Sequence, residues 1–212
     1  MEKDRVIKAF EELQKEKKRN FSQSYDLIVT LKDIDIKTKP VESFIIMPHS
    51  RGKKVKICAF VGQELAEQAE KNFDLVVREK NFDEYKDKKK IKKLAKEYDF
   101  FIAQATLMPQ VAAVFGRSLG PKGKMPNPKA GCVVPPNANL AVLKERLQKM
   151  VQVKAKNAPM IQCIVGNENM KQEETVENVL TLLTQVAKAL PNEEQNIHTV
   201  YLKKTMSKVV KV

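Results

Sequence analysis

The chain has 212 residues, 42% hydrophobic and 31% charged, enough for one large or two small domains that fold without disulfide or metal staples. A formal net charge of +13 favours a polyanionic partner, and nucleic acid is the commonest one. No apolar run approaches the ~18 residues of a membrane span, and Met-Glu-Lys-Asp-Arg-Val at the start is followed by no apolar signal region, so no membrane partner and a cytoplasmic location are expected.

In chain order, residues 2 to about 18 read as a helix with Val6, Ile7, Phe10 and Leu13 on one face and a basic end at Lys15, Lys17, Lys18 and Arg19. Ser24–Leu31 alternates, with Tyr25, Leu27, Val29 and Leu31 on one side, which predicts a half-buried strand. A polar turn around Lys39-Pro40 and a second strand at 44–47 follow, and two strands this close in sequence are most simply antiparallel neighbours. After Pro48-His49-Ser50-Arg51-Gly52-Lys53-Lys54 the pattern changes. Strand 55–60, helix 63–70, strand 75–77, helix 82–98 and strand 100–103 alternate, and helical segments follow at 109–119 and 139–150. Such alternation predicts right-handed βαβ units on a parallel sheet, a three-layer Rossmann-like α/β domain. At Val153-Lys-Ala-Lys156-Asn-Ala-Pro159 the pattern changes again. A strand at 160–165, a helix at 173–190 and a strand at 197–203 complete the chain.

Neither flanking block can bury its apolar faces alone. The expected fold is therefore α+β and α/β in two domains: a split α+β domain, 1–53 with 156–212, and an inserted α/β domain, 54–155. The linkers 48–54 and 153–159 would form a hinge, with Arg51, Gly52, Lys53 and Lys156 in it.

The densest signal is Gly116-Arg117-Ser-Leu-Gly120-Pro-Lys122-Gly123-Lys124-Met-Pro126-Asn-Pro128-Lys129-Ala-Gly131. Glycine permits positive φ and proline fixes φ, so the segment specifies a definite loop path, and its charges are all basic. It matches no Walker A register, because Met125 stands where the magnesium-binding hydroxyl is needed, and Gly-x-Gly-x-x-Gly is missing. No catalytic constellation is visible, so no enzyme and no cofactor are expected. Cys58, Cys132 and Cys163 are isolated beside apolar residues and read as buried, reduced thiols, while His49 and His198 are too far apart in sequence to suggest zinc. The lysines of the helix 82–98 (Lys86, Lys88, Lys89, Lys90, Lys92, Lys93, Lys96) read equally as a phosphate-binding face and as a solvated one. Phe21, in Asn20-Phe21-Ser22-Gln23-Ser24-Tyr25, suits RNA at a sheet edge, though an aromatic there also serves to cap a core.

The Gly/Pro segment closely resembles the signature loop of the ribosomal protein family that forms the L-one stalk of the large subunit. Pro48-His49-Ser50-Arg51-Gly52-Lys53, Asn20-Phe21-Ser22-Gln23-Ser24 and Thr205-Met206 fall in register with it. Asp99-Phe-Phe-Ile-Ala-Gln104 and Val165-Gly-Asn-Glu-Asn-Met170 are similar to the archaeal branch. The resemblance implies a protein that binds 23S-type rRNA at the mobile stalk near the exit site, assists exit-site tRNA release, represses translation of its own mRNA, and is a monomer when free. It implies an RNA contact at Phe21, Gln23, Ser24, Thr205, Met206 and Ser207, with secondary rRNA or tRNA contacts at Arg117, Lys122, Lys124 and Lys129. The alternative is an RNA-binding regulator acting mainly off the ribosome. Ser207 and Ser50 stand where the family usually has glycine, which puts the RNA contact and the hinge stiffness in question there.

Overall fold

A computed structural model describes residues 3–17, 19–36, 40–85, 87–156 and 158–212; the expectations that fall on Glu2, Lys18, Lys39, Lys86 and Asn157 lie outside them. The chain opens with helix α1 (Lys3–Gln14), strand β1 (Ser24–Leu31) and strand β2 (Val41–Ile46). It continues through β3 (Ile57–Val61), α2 (Gln63–Asn72), β4 (Leu75–Arg78), α3 (Lys88–Glu97), β5 (Phe100–Gln104), α4 (Met108–Leu119), the short β6 (Val133–Val134) and α5 (Leu140–Lys149). It ends with β7 (Met150–Ala155), β8 (Met160–Asn167), α6 (Gln172–Ala189), β9 (Ile197–Lys204) and β10 (Val210–Lys211). Two compact units result: residues 1–53 with 149–212, and residues 54–148.

In the first unit β1 is central, antiparallel to β9 on one side and β8 on the other, in the order β10-β9-β1-β8. Its alternating sequence buries Tyr25, Leu27, Val29 and Leu31. They pack with Val6, Phe10 and Leu13 of α1 and with Val176, Val179 and Leu183 of α6. At about 1.5–3 kcal/mol for each large apolar side chain buried, this shared core holds the two ends of the chain together. The expected pairing of β1 with β2 does not occur. β2 pairs instead with β7, a strand in the stretch where a linker was expected. Met150, Val151, Val153 and Ala155 of β7 are all buried, so burying this stretch outweighs its basic flank. The second chain crossing accordingly falls at 148–149, not at 153–159. Lys156, placed in the hinge by sequence, follows β7 within the first unit and pairs with Glu42 of β2 at 3.3 Å.

The second unit carries a parallel sheet ordered β4-β3-β5-β6 around the buried, all-apolar β3. Phe60, Phe101, Phe115 and Phe82 form its aromatic centre, with Phe60 and Phe115 ring centroids 4.5 Å apart. The helix expected over 82–98 is two elements. Residues 79–85 form a 3-10 turn that buries Phe82, and α3 starts anew where the Asp87 carboxylate accepts a hydrogen bond from the Lys89 N–H at 2.9 Å. The three cysteines are buried and free, and burial pushes the thiols of Cys132 and Cys163 up to about 11 and about 12. Among the described residues no helix is long and apolar enough to cross a membrane.

Candidate nucleic-acid interface

Three strand ends meet on the first unit. The register sets Ser24, where β1 begins, opposite Asn167, where β8 ends, and sets Tyr25 opposite Lys204, where β9 ends. The β1–β8 register shifts between Tyr25 and Asp26, a bulge that redirects the chain at this point. Beyond the strands lie the 19–23 approach, the 167–170 loop and the 204–207 turn.

Glu168 ties these segments together. Its carboxylate accepts the Gln23 backbone N–H at 2.9 Å, the Gln23 side-chain N–H at 3.3 Å and the Lys204 ammonium at 2.9 Å. Its own N–H donates to the Gln23 carbonyl at 3.0 Å. Partial burial by itself would raise the Glu168 carboxyl, but these donors outweigh burial and hold it below the ordinary glutamate value. Lys204 is 4% exposed, and its ammonium also lies 5.9 Å from the centroid of the Tyr25 ring. That ring makes an edge contact with Phe10 at 5.0 Å, so the polar cluster rests directly on the core.

The turn after β9 is fastened to this base. The Met206 N–H donates to Gln23 Oε1 at 3.0 Å, the Ser24 N–H donates to Thr205 Oγ1 at 3.2 Å, and the Thr205 N–H donates to the Ser24 carbonyl at 3.2 Å. What remains outward is apolar and hydroxylic: Phe21 is 51% exposed and Met206 59%. An open concavity of about 660 Å³ lies beside them, lined by Arg19, Asn20, Phe21, Tyr25, Glu168 and Lys204. Among the described residues, no hydroxyl here is bonded to a side chain that could serve as its base. The arrangement offers an aromatic face, a thioether, hydroxyls and basic groups on a fixed frame, which is the chemistry of RNA binding by shape and stacking.

A model of the Ribosomal protein L1p/L10e family matches residues 13–208. The chain belongs to this family. It is 42% identical over 200 residues to the large ribosomal subunit protein uL1 of Nanoarchaeum equitans, covering 92% of this chain and 93% of that one. With the protein of the same name from Methanocaldococcus jannaschii it shares 42% identity over 217 residues, covering 100% and 96% of the two chains. The corresponding figures for Pyrococcus abyssi are 39% over 217 residues, 100% and 96%. As an archaeal-type L1p/L10e member it is a structural protein of the large ribosomal subunit, with rRNA as partner and the cytoplasmic ribosome as its place, and not an enzyme.

Against that family reading, the six residues taken from the signature divide. Phe21, Thr205 and Met206 face outward, and Ser24 is half-buried at the strand start. Gln23 is 3% exposed, and its side chain carries the turn. Ser207 takes no strain from replacing glycine, since among the described residues only Asp33 and Glu193 are non-glycines at positive φ. Its oxygen accepts the Lys204 N–H and its hydroxyl donates to the Lys208 carbonyl, both at 2.7 Å, within the turn. Glu168 and Lys204 were missed. The signal was present: Val200, Leu202 and Lys204 share one phase of β9, and a lysine in the inward phase requires a carboxylate partner.

The other candidates lie apart in sequence and role. Gly52 sits at φ +73°, and a Cβ there would fall 2.6 Å from Asn167 Cβ, so it supports the 167–170 loop directly. Lys53 and Ser50 are exposed. On the second unit Arg117 and Lys129 are exposed and Lys122 is half-buried, while the Lys124 ammonium donates to the Tyr98 carbonyl at 2.7 Å and so fastens the Gly/Pro loop to the end of α3. Gly123 and Gly131 take positive φ, whereas a Cβ on Gly116 would meet only open space.

Proposed function

We propose that the protein binds 23S-type rRNA of the mobile stalk near the exit site through Phe21, Ser24, Thr205 and Met206, and that stalk movement assists release of deacylated tRNA. A similar fold in its own mRNA would be bound by the same residues, giving translational repression by the free monomer. The observation that carries the reading is the exposed Phe21, Thr205 and Met206 held above buried Gln23 and Lys204, which the half-buried Glu168 joins. A rigid, preformed surface of this kind loses little conformational entropy on binding. The chain crossings at 53–54 and 148–149 would act as the hinge. Arg117, Lys122 and Lys129 would supply further rRNA or exit-site tRNA contacts, with Lys124 holding the loop that presents them.

The test is a calorimetric titration of full-length Thr205→Ala and Met206→Ala proteins against a fragment of large-subunit rRNA carrying the stalk. Each should lose at least about tenfold in affinity, about 1.4 kcal/mol, with little change in melting temperature. Undiminished binding by both would remove the site assignment. Co-sedimentation with large subunits separates work on the ribosome from regulation away from it.

A further inference from the structure

The outer face of α3 carries Lys88, Lys89, Lys92, Lys93 and Lys96, all exposed. Its opposite face buries Ile91 and Ala95 against Val111, Phe115 and Leu119 of α4. Among the described residues none of these five ammonium groups has an ion-pair or hydrogen-bond partner. The neighbouring acid Glu97 is taken by Lys56 at 3.3 Å.

As a helix, α3 is charged against its own stability. Lys88 and Lys89 lie in the first turn, where the backbone dipole presents its positive end and favours acids. Lys88–Lys92, Lys89–Lys93 and Lys92–Lys96 are spaced i,i+4, and like charges at that spacing repel. Asp87, the N-cap, partly offsets the first turn, and none of the described residues within that turn is acidic. A merely solvated face would hold glutamates among its lysines, as α2 does with Glu64, Glu67 and Glu70 beside Lys71. The positive surface also continues beyond the helix, because Lys124 anchors the Gly/Pro loop, with Lys122 and Lys129, to the carbonyl at the α3 C-cap. Uncompensated local repulsion of this sort is expected where a ligand supplies the missing charge.

We propose that the α3 lysine ridge is a second RNA-binding surface, which holds the phosphate backbone of double-helical RNA without reading its sequence. It rests on the reading of the protein as an RNA binder, but uses a different unit and a different physics. Exposed lysines neutralise phosphates and release counterions; they offer no aromatic or fixed hydrogen-bonding frame with which to select bases.

The experiment compares the full chain with a variant carrying Lys89→Gln, Lys92→Gln, Lys93→Gln and Lys96→Gln. Both are titrated over a range of salt with the stalk rRNA fragment and with a duplex RNA of unrelated sequence. At low salt the variant should bind the unrelated duplex at least about tenfold more weakly, and its slope of log affinity against log salt should be shallower by about three. Its melting temperature should be equal or higher, because repulsion has been relieved. Unchanged affinity and slope on the unrelated duplex would overturn the proposal, as would RNA binding that weakens only alongside a lower melting temperature. A variant that keeps RNA but loses binding to a polyglutamate peptide would also overturn it, in favour of an acidic protein segment. If the wild type fails to prefer the stalk fragment while the ridge variant still weakens on both RNAs, the stalk reading fails and the ridge stands.

Discussion

The strand-end site of the first unit and the lysine ridge of the second are both positively charged, yet they are built on opposite principles. At the strand ends the lysine is inside: Lys204 is buried, bonded to Glu168, and spends its charge on fixing a turn. On α3, Lys88, Lys89, Lys92, Lys93 and Lys96 lie outside, and among the described residues their ammonium groups have no partner. A buried charge defines a shape, whereas exposed charges define a field. Recognition of one RNA fold requires the first, and general attraction to RNA requires only the second.

The sharpest way to break this contrast is to remove the carboxylate. Glu168→Ala leaves Lys204 buried without its partner and should destabilise the first unit by about 3 kcal/mol, read from the urea midpoint. Removing four ridge lysines should cost no stability at all. Next in size, Gly52→Ala must place a Cβ at φ +73° and 2.6 Å from Asn167, which should cost about 1–3 kcal/mol and weaken stalk-RNA binding by disturbing the loop that carries Glu168. By contrast Gly116→Ala, in α4 with open space around it, should stabilise by about 0.5–1 kcal/mol. Signature glycines thus separate into those required by the fold and those that are not.

Acidity gives a third handle. The folded Glu168 carboxyl lies below its ordinary value, so its contribution to stability is present above that value. It is lost as pH falls through the ordinary value toward the folded one. Between about pH 6 and pH 3 the urea midpoint of the wild type should fall more steeply than that of Glu168→Gln combined with Lys204→Met, in which the pair is replaced together. A modest effect is expected of Asp87→Ala, about 1 kcal/mol, from losing the cap that opens α3 among its lysines.

Much of the fold was legible in the residues. The alternation of Tyr25, Leu27, Val29 and Leu31 and the apolar stripe of α6 state their structures directly, and β-α alternation gave the parallel sheet. Strand pairing was less accessible, because β1 joins β8 and β9 across more than a hundred residues and no local pattern encodes that choice. β7 was hidden because its apolar residues run into basic ones that read as a linker. At the site, the exposed aromatic and the Thr205-Met206 turn were legible through the family signature. The burial of Gln23 was not legible, because a polar side chain that satisfies a buried network looks, in sequence, like one that faces a ligand. Glu168 and Lys204 become meaningful only once the strand ends are known to converge.

The most direct test of the shape-against-field account is the ratio of affinities for stalk rRNA and unrelated duplex RNA, measured by calorimetry for the wild type, Met206→Ala and the four-lysine variant. The account predicts that Met206→Ala loses most of that ratio while keeping its affinity for the unrelated duplex, and that the lysine variant weakens on both RNAs with the ratio preserved. The same ratio in wild type and Met206→Ala, or a ratio that collapses in the lysine variant, would contradict it.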